Sequence, residues 1–206
     1  ISGGTGTDLD IPVGSTLQLS STGANQLGIV FSPATQDVII AGTFNINANT
    51  ALTNSYTATN SATIVTGTIS NSGVITSTAV NLVFNSGTIY NHTRDAGAIP
   101  TASWNTASTI NVTGTTITPP TGLNQTFGNL NFNCALLTGA RIGTLTGNTV
   151  IQGNLSIAGT SVANTMTLQL STFNFSVNGT TNINAFGILN DNSATGTNTL
   201  TGAVSI

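Results

Sequence analysis

The sequence predicts an all-β protein, a β-solenoid or parallel β-helix wound in coils of roughly 20 to 28 residues. Three observations carry that expectation. A short motif, glycine followed by a small polar residue and then alternating apolar positions, recurs along the whole chain. The residues between its copies are rich in Thr, Val, Ile, Asn and Gly, all of low helix propensity, and no i, i+3, i+4 apolar stripe persists. Finally, only 3% of the 206 residues are charged, against about 25% in an ordinary soluble domain. Stacked coils set like residues in line, where a charge would face its own copy, so near-neutrality suits a stack.

The motif opens at Gly14, Gly42, Gly67, Gly87, Gly114, Gly128, Gly153, Gly179 and Gly202, with spacings of 28, 25, 20, 27, 14, 25, 26 and 23 residues. A coil of that length cannot bury its inward face alone. Stacked at about 4.8 Å per coil, nine such units would form a rod roughly 40 Å long, with Ile over Leu over Val inside and Asn or Thr aligned at the corners. Period-2 alternation is explicit at Thr16-Leu17-Gln18-Leu19, Asn45-Ile46-Asn47-Ala48, Asn129-Leu130-Asn131-Phe132 and Asn174-Phe175-Ser176-Val177. The alternative is a β-sandwich, which predicts no register between distant turns.

A single repeat module over 1–206 is expected, with an irregular insertion around 90–127. No initiator Met, basic n-region or apolar h-region stands at Ile1, as expected where a signal peptide was removed or never part of this segment, and Gly202 to Ile206 stops within a strand-like pattern, so a piece of a longer chain is expected.

Composition removes several function classes. With Arg94 and Arg141 as the sole Lys or Arg residues, no basic patch can neutralise phosphates, so nucleic acid is not an expected partner. The five Asp, at 8, 10, 37, 95 and 191, are too scattered to attract a cationic one. No run approaches 18 apolar residues, so no membrane-spanning helix is expected, and 5% aromatics supply the girdles of a membrane barrel poorly. Cys134 is alone, cannot form an internal disulfide, and is expected to be buried. No Cys/His metal spacing or glycine-rich calcium repeat occurs, so no cofactor is expected. A carbohydrate-active β-helix enzyme would need paired carboxylates or a base beside acidic metal ligands. Asp8-x-Asp10 is the one close acidic pair, and there is no Glu or Lys, so the expectation is a non-catalytic protein.

Most chemically distinctive residues gather between Tyr90 and Cys134. Tyr90, His92, Arg94, Asp95 and Trp104 form a candidate ligand-contact loop: an imidazole, a guanidinium and a carboxylate within four residues, near the sole Trp. The structural reading of the same residues is an ordered loop with hydrogen-bonding and ion-pairing side chains and a large core filler.

This stretch also carries a resemblance. The run from Tyr90 to Trp104, YNHTRDAGAIPTASW, followed by Ser108-Thr109 and Gly114, then Pro119, Gly122-Leu123-Asn124-Gln125-Thr126-Phe127-Gly128-Asn129 and Phe132-Asn133-Cys134, resembles a segment of very large secreted surface proteins of Bacteroidetes. It covers about 45 of the 206 residues. The resemblance implies a β-rich, adhesin-like repeat protein exported to the cell surface, often by the type IX route with a C-terminal sorting domain, which is not visible here. It implies no catalytic residues.

The expected role is therefore that of a secreted or cell-surface structural or adhesive module, a stiff stalk or filament body. Its expected partners are other copies of itself, adjacent repeats of the same chain, and surface glycans, the last through Trp104 and Tyr90. Ice binding is an alternative, because outward Thr ladders can order water; yet Thr57-Ala58-Thr59, Thr76-Ser77-Thr78 and Thr199-Leu200-Thr201 do not sit at one repeat position in the sequence. Asn-x-Ser/Thr sequons at Asn91, Asn111, Asn124, Asn154, Asn174 and Asn178 arise by chance in so Asn- and Thr-rich a chain.

Overall fold

Alternation of apolar and polar residues makes each short run a strand with one face in and one face out. In Thr43–Ile46, Phe44 and Ile46 are buried while Thr43 and Asn45 stay half-buried on the outer face. The structure is a computed structural model that describes residues 6–31, 37–49, 51–192 and 195–206; Ile1 lies outside the described residues. No helix occurs among them. The chain winds as a parallel β-solenoid of about 8 turns with roughly 25 residues per coil. Strands pair in parallel with their counterparts one coil on, in constant register, which sets the sandwich aside.

The chain divides into two compact units, 1–91 with 100–108, and 92–99 with 109–206. In the first, three parallel sheets surround the core. One holds Thr7–Ile11, Asp37–Ile40, Ala62–Val65, Leu82–Phe84 and Ser103–Trp104. The others contain Thr16–Leu19, Thr43–Ile46 and Thr68–Asn71, and Gly28–Val30, Ser55–Ala58 and Val74–Ser77. Register lines up the interior: Ile11, Ile40, Val65, Phe84 and Trp104 form one inward rank. Leu19, Ile46 and Asn71 form another.

The second unit repeats the plan. Thr109–Val112, Asn129–Asn133, Leu155–Ala158, Thr181–Ile183 and Val204–Ser205 make one sheet. Thr126–Phe127, Thr149–Ile151, Phe175–Val177 and Asn198–Leu200 make the next, and Arg141–Thr144, Met166–Gln169 and Gly187–Asn190 the third. Val112, Phe132, Ile157 and Ile183 stack in register. Cys134 is buried here as a free thiol, and burial pushes its pKa up to about 11, so it behaves as a small apolar side chain.

At Gly42, Gly67, Gly179 and Gly202 the recurrent glycine marks a corner where backbone rests on backbone, whereas Gly14 and Gly87 sit at positive φ with open space where a Cβ would be. The Gly67 amide donates to the Ile40 carbonyl at 2.9 Å, and a Cβ at Gly67 would fall on the carbonyl oxygens of Gly42 and Ala41. In the second unit the Gly179 amide donates to the Gly153 carbonyl at 2.9 Å, and a Cβ there would lie 2.5 Å from that same oxygen. Any side chain would pry the coils apart.

The Gly114 copy of the motif does not open a coil. It follows the strand Thr109–Val112 and donates to the His92 carbonyl at 3.1 Å. The coil instead turns into Thr109–Val112 through Asn105, Ala107 and Ser108, where Asn105 Oδ1 accepts from the Ala107 amide and the Asn105 carbonyl accepts from the Ser108 amide. Thr109 pairs with Asn129, an offset of 20 residues, whereas Leu155 pairs with Thr181 at 26. Val83 likewise pairs with Ser103 at 20. Offsets of 19 residues occur between Ser55 and Val74 and between Thr63 and Leu82, so short coils are not confined to the stretch around 90–127, where Ala98 and Thr121 form an isolated bridge.

Asn ladders run along the corners of the second unit. Asn129 Oδ1 accepts from the Asn154 amide (2.9 Å), and Asn154 Oδ1 from the Thr180 amide (2.8 Å). Asn148 Oδ1 accepts from the Asn174 amide, and Asn174 Oδ1 from the Thr197 amide. These amides satisfy backbone groups that lie beyond the strand ends without introducing charge.

Candidate functional site

The five candidate loop residues divide between the units. Tyr90 and Trp104 belong to the first and are 0% and 6% exposed. Trp104 stacks on Phe84 with ring centroids 4.2 Å apart, and Tyr90 meets Trp104 edge-on at 5.7 Å. The Tyr90 hydroxyl accepts from Asn71 Nδ2 at 3.0 Å, which explains an amide at an inward position. Both rings are therefore core side chains packed on this chain, and neither offers a surface for a sugar.

His92, Arg94 and Asp95 belong to the second unit. His92 is 0% exposed, and its Nε2 donates to the Ala96 carbonyl at 2.8 Å, closing a turn over residues 92–96. Burial lowers its pKa, with the Arg94 charge adding to the effect and the Ala96 carbonyl opposing it, so the ring is held neutral. Asp95 caps a backbone turn one coil away: its Oδ1 accepts from the amides of Thr116 (2.7 Å), Ile117 (2.8 Å) and Thr118 (2.9 Å). Burial alone would raise its pKa, but these donors outweigh that and hold the carboxyl below the usual range. Ala96, in left-handed conformation at φ 54°, donates to the Thr118 carbonyl at 2.8 Å. The Arg94 side chain lies against Gly97, and Gly114 presses on the backbone of Thr93 and Arg94.

A carboxylate that already accepts three amides is a poor proton acceptor, and a neutral buried imidazole bonded to a carbonyl is a poor donor. The loop acts as a clamp on a short coil. The other acidic pair is placed differently: Asp8 Oδ2 accepts from the Asp37 amide at 3.2 Å, and Asp10 sits exposed in register with Ile39. Among the described residues, no three His, Cys, Asp or Glu side chains gather closely enough to hold a metal ion.

What remains accessible is the outer face of the sheets. In the first unit Thr16, Thr43 and Thr68 stand in register on one sheet. On another, Thr57 stands in register with Thr76, so two of the three Thr-x-Thr pairs do share a repeat position, whereas Thr199 belongs to a sheet of the second unit. The second unit carries an amide-lined groove of about 410 Å³ bounded by Asn111, Asn131, Asn133, Ser156, Ala158 and Asn184, with Phe132 beneath. Asn131 Nδ2 donates to Asn111 Oδ1 (3.1 Å), and Asn184 Nδ2 to Ser156 Oγ (2.7 Å). The groove was readable from the glycine anchors: counting three and five residues on from Gly128, Gly153 and Gly179 gives Asn131, Ser156, Asn182 and Asn133, Ala158, Asn184. The distinctive residue types near Trp104 drew attention from these commonplace ones.

No protein-family model, curated protein or solved structure matches the chain.

Proposed function

We propose that this chain is a secreted or cell-surface module with a structural or adhesive role and no catalysis, in which the solenoid serves as a stiff stalk or filament body. The observation that carries this reading is the in-register parallel stacking of uncharged residues from coil to coil, as at Asn111, Asn131 and Ser156 outside and Val112, Phe132 and Ile157 inside. Parallel edges of this kind accept a further coil, from the same chain or another copy, with the same hydrogen bonds. The resemblance of the 90–134 segment to Bacteroidetes surface proteins supports the location. Immunogold labelling of producing cells tests it: label on the outer surface, together with rods or filaments in negative-stain images of extracted material, is the expected result. Label confined to the cell interior would overturn the proposal.

A second reading, ice binding, is favoured by the Thr16, Thr43 and Thr68 rank, which sets hydroxyl and methyl groups at a regular spacing on one outer face. Thermal hysteresis lost on Thr43→Lys would support it, and its absence from the native protein would dismiss it.

A further inference from the structure

We infer that the groove on the second unit binds a neutral saccharide. The inference rests on the adhesive form of the reading above and gives it a target different from the buried rings of Tyr90 and Trp104. Its shape comes from a size mismatch in one outward column. Ala158 pairs in register with Asn133 of the preceding strand, and Asn184 lies at the matching place in the next coil, so a methyl group sits between two longer amides. Beside it runs the parallel column of Asn111, Asn131 and Ser156. The result is a shallow, open depression of about 410 Å³ on the outer face of the sheet.

The chemistry of the walls selects the ligand. A bond to Asn111 along its own column holds Asn131, and a bond to Ser156 across the two columns holds Asn184, each through its NH2 group and leaving each a carbonyl oxygen, and Ser156 keeps its hydroxyl hydrogen. Asn133 is exposed and presents both donor and acceptor. Sugar hydroxyls donate and accept alike, so they match a wall of mixed amide and hydroxyl groups. The Ala158 methyl gives the floor an apolar spot for the C–H face of a pyranose ring. No lining residue is charged, so nothing compensates the desolvation of a carboxylate or sulfate, and anionic glycans are disfavoured. Strand pairing fixes the backbone under Asn111, Asn131, Asn133, Ser156 and Ala158 before any ligand arrives, which limits the ordering cost of binding.

The test uses the full chain on an array of neutral and anionic glycans, followed by calorimetric titration with the best neutral oligosaccharide. The expected result is binding to neutral glycans that falls at least tenfold in Ala158→Phe, which fills the depression, and in Asn133→Ala, which removes an exposed amide. Asn45→Ala on the first unit should bind as the native chain does. Unchanged thermal melting of Ala158→Phe and Asn133→Ala separates loss of the site from loss of the fold. No neutral glycan bound, preference for anionic glycans, or binding unaffected by Ala158→Phe would each overturn the inference. Surface labelling reads the location independently, so a surface protein that binds no sugar would leave the stalk reading standing.

Discussion

Two kinds of corner hold these coils, and they solve the same problem by opposite means. At Gly67 the chain turns by bringing one backbone onto another, an amide-to-carbonyl bond of 2.9 Å to Ile40 completing the turn, and at Gly179 a bond of the same length to Gly153 is joined by the neutral Asn154 side chain, which accepts from the Thr180 amide. At the 92–97 loop the short coil leaves the amides of residues 116–118 pointing at a side chain, and the Asp95 carboxylate takes all three. Asp95, one of the few charges of the chain, thus does at this loop what a neighbouring carbonyl does at the glycine corners.

Steric failure at a glycine corner should exceed any loss of charge. Gly67→Ala places a methyl group on the Gly42 and Ala41 carbonyls, backbone atoms that cannot swing away. We expect a loss of about 3 kcal/mol or more, since overpacking and broken inter-coil bonds act together. Chemical denaturation of Gly67→Ala against the native chain measures it. A loss below about 1 kcal/mol would mean that the corner tolerates separation and that glycine is present for another reason.

Removing the carboxylate comes next. Asp95→Ala removes the acceptor of three amides at once and should cost about 1 kcal/mol, the net value of hydrogen bonds that water can replace, since Ile117 and Thr118 are exposed. Asp95→Asn keeps one carbonyl oxygen as acceptor and should cost less than Asp95→Ala, because the hydrogen bonds survive while the charge assistance is lost. Equal losses in the two variants would show that the charge, and not the acceptor, secures the turn.

The legibility of these corners in the sequence differs for a physical reason. A close-approach corner demands glycine, so Gly42 and Gly67, and Gly179 and Gly202, announce both the solenoid and its period. A clamped corner demands only some acceptor, and Asp95 beside Arg94 looks as much like an active-site pair as a turn cap. Gly114 misled the period count because it serves a close approach to Thr93 and Arg94 without opening a coil. Tyr90 and Trp104 suggested a contact surface because large rings serve both cores and ligand sites; only the register that puts Trp104 in rank with Phe84 decides between them. The groove residues were hidden by their ordinariness, since Asn133 and Ala158 gain meaning only as neighbours in one column.

Acid titration sharpens the comparison further, with a smaller effect that separates the clamped loop from the glycine corners. Both titratable loop groups have folded pKa values below their unfolded ones. For His92 the unfolded chain takes up a proton that the buried ring resists, so its contribution is present above about pH 6.5 and is lost as the pH falls toward the folded value. For Asp95 the contribution is present above about pH 4 and is lost as the pH falls through the depressed folded value. Melting temperature should therefore decline in two steps on acidification. His92→Gln should remove the upper step and Asp95→Asn the lower one; a lower step that persists in Asp95→Asn would assign acid sensitivity to the other Asp residues.

The outer ladders should matter least to stability. Asn131 donates to Asn111 across the sheet at 3.1 Å, but both amides are half-buried and water can replace the bond. Asn131→Ala should cost below about 1 kcal/mol, the net value of one ordinary hydrogen bond. The same substitution to Asp would place a charge between Asn111 and Ser156, its register neighbours, which can still donate to it. Putting Asp at both 111 and 131 should be worse than the sum of the single changes, because two carboxylates would then face each other one strand spacing apart. A double-mutant cycle on thermal stability measures that excess. A sum that is merely additive would show that repulsion along the ladder does not account for the scarcity of charge on the outer faces.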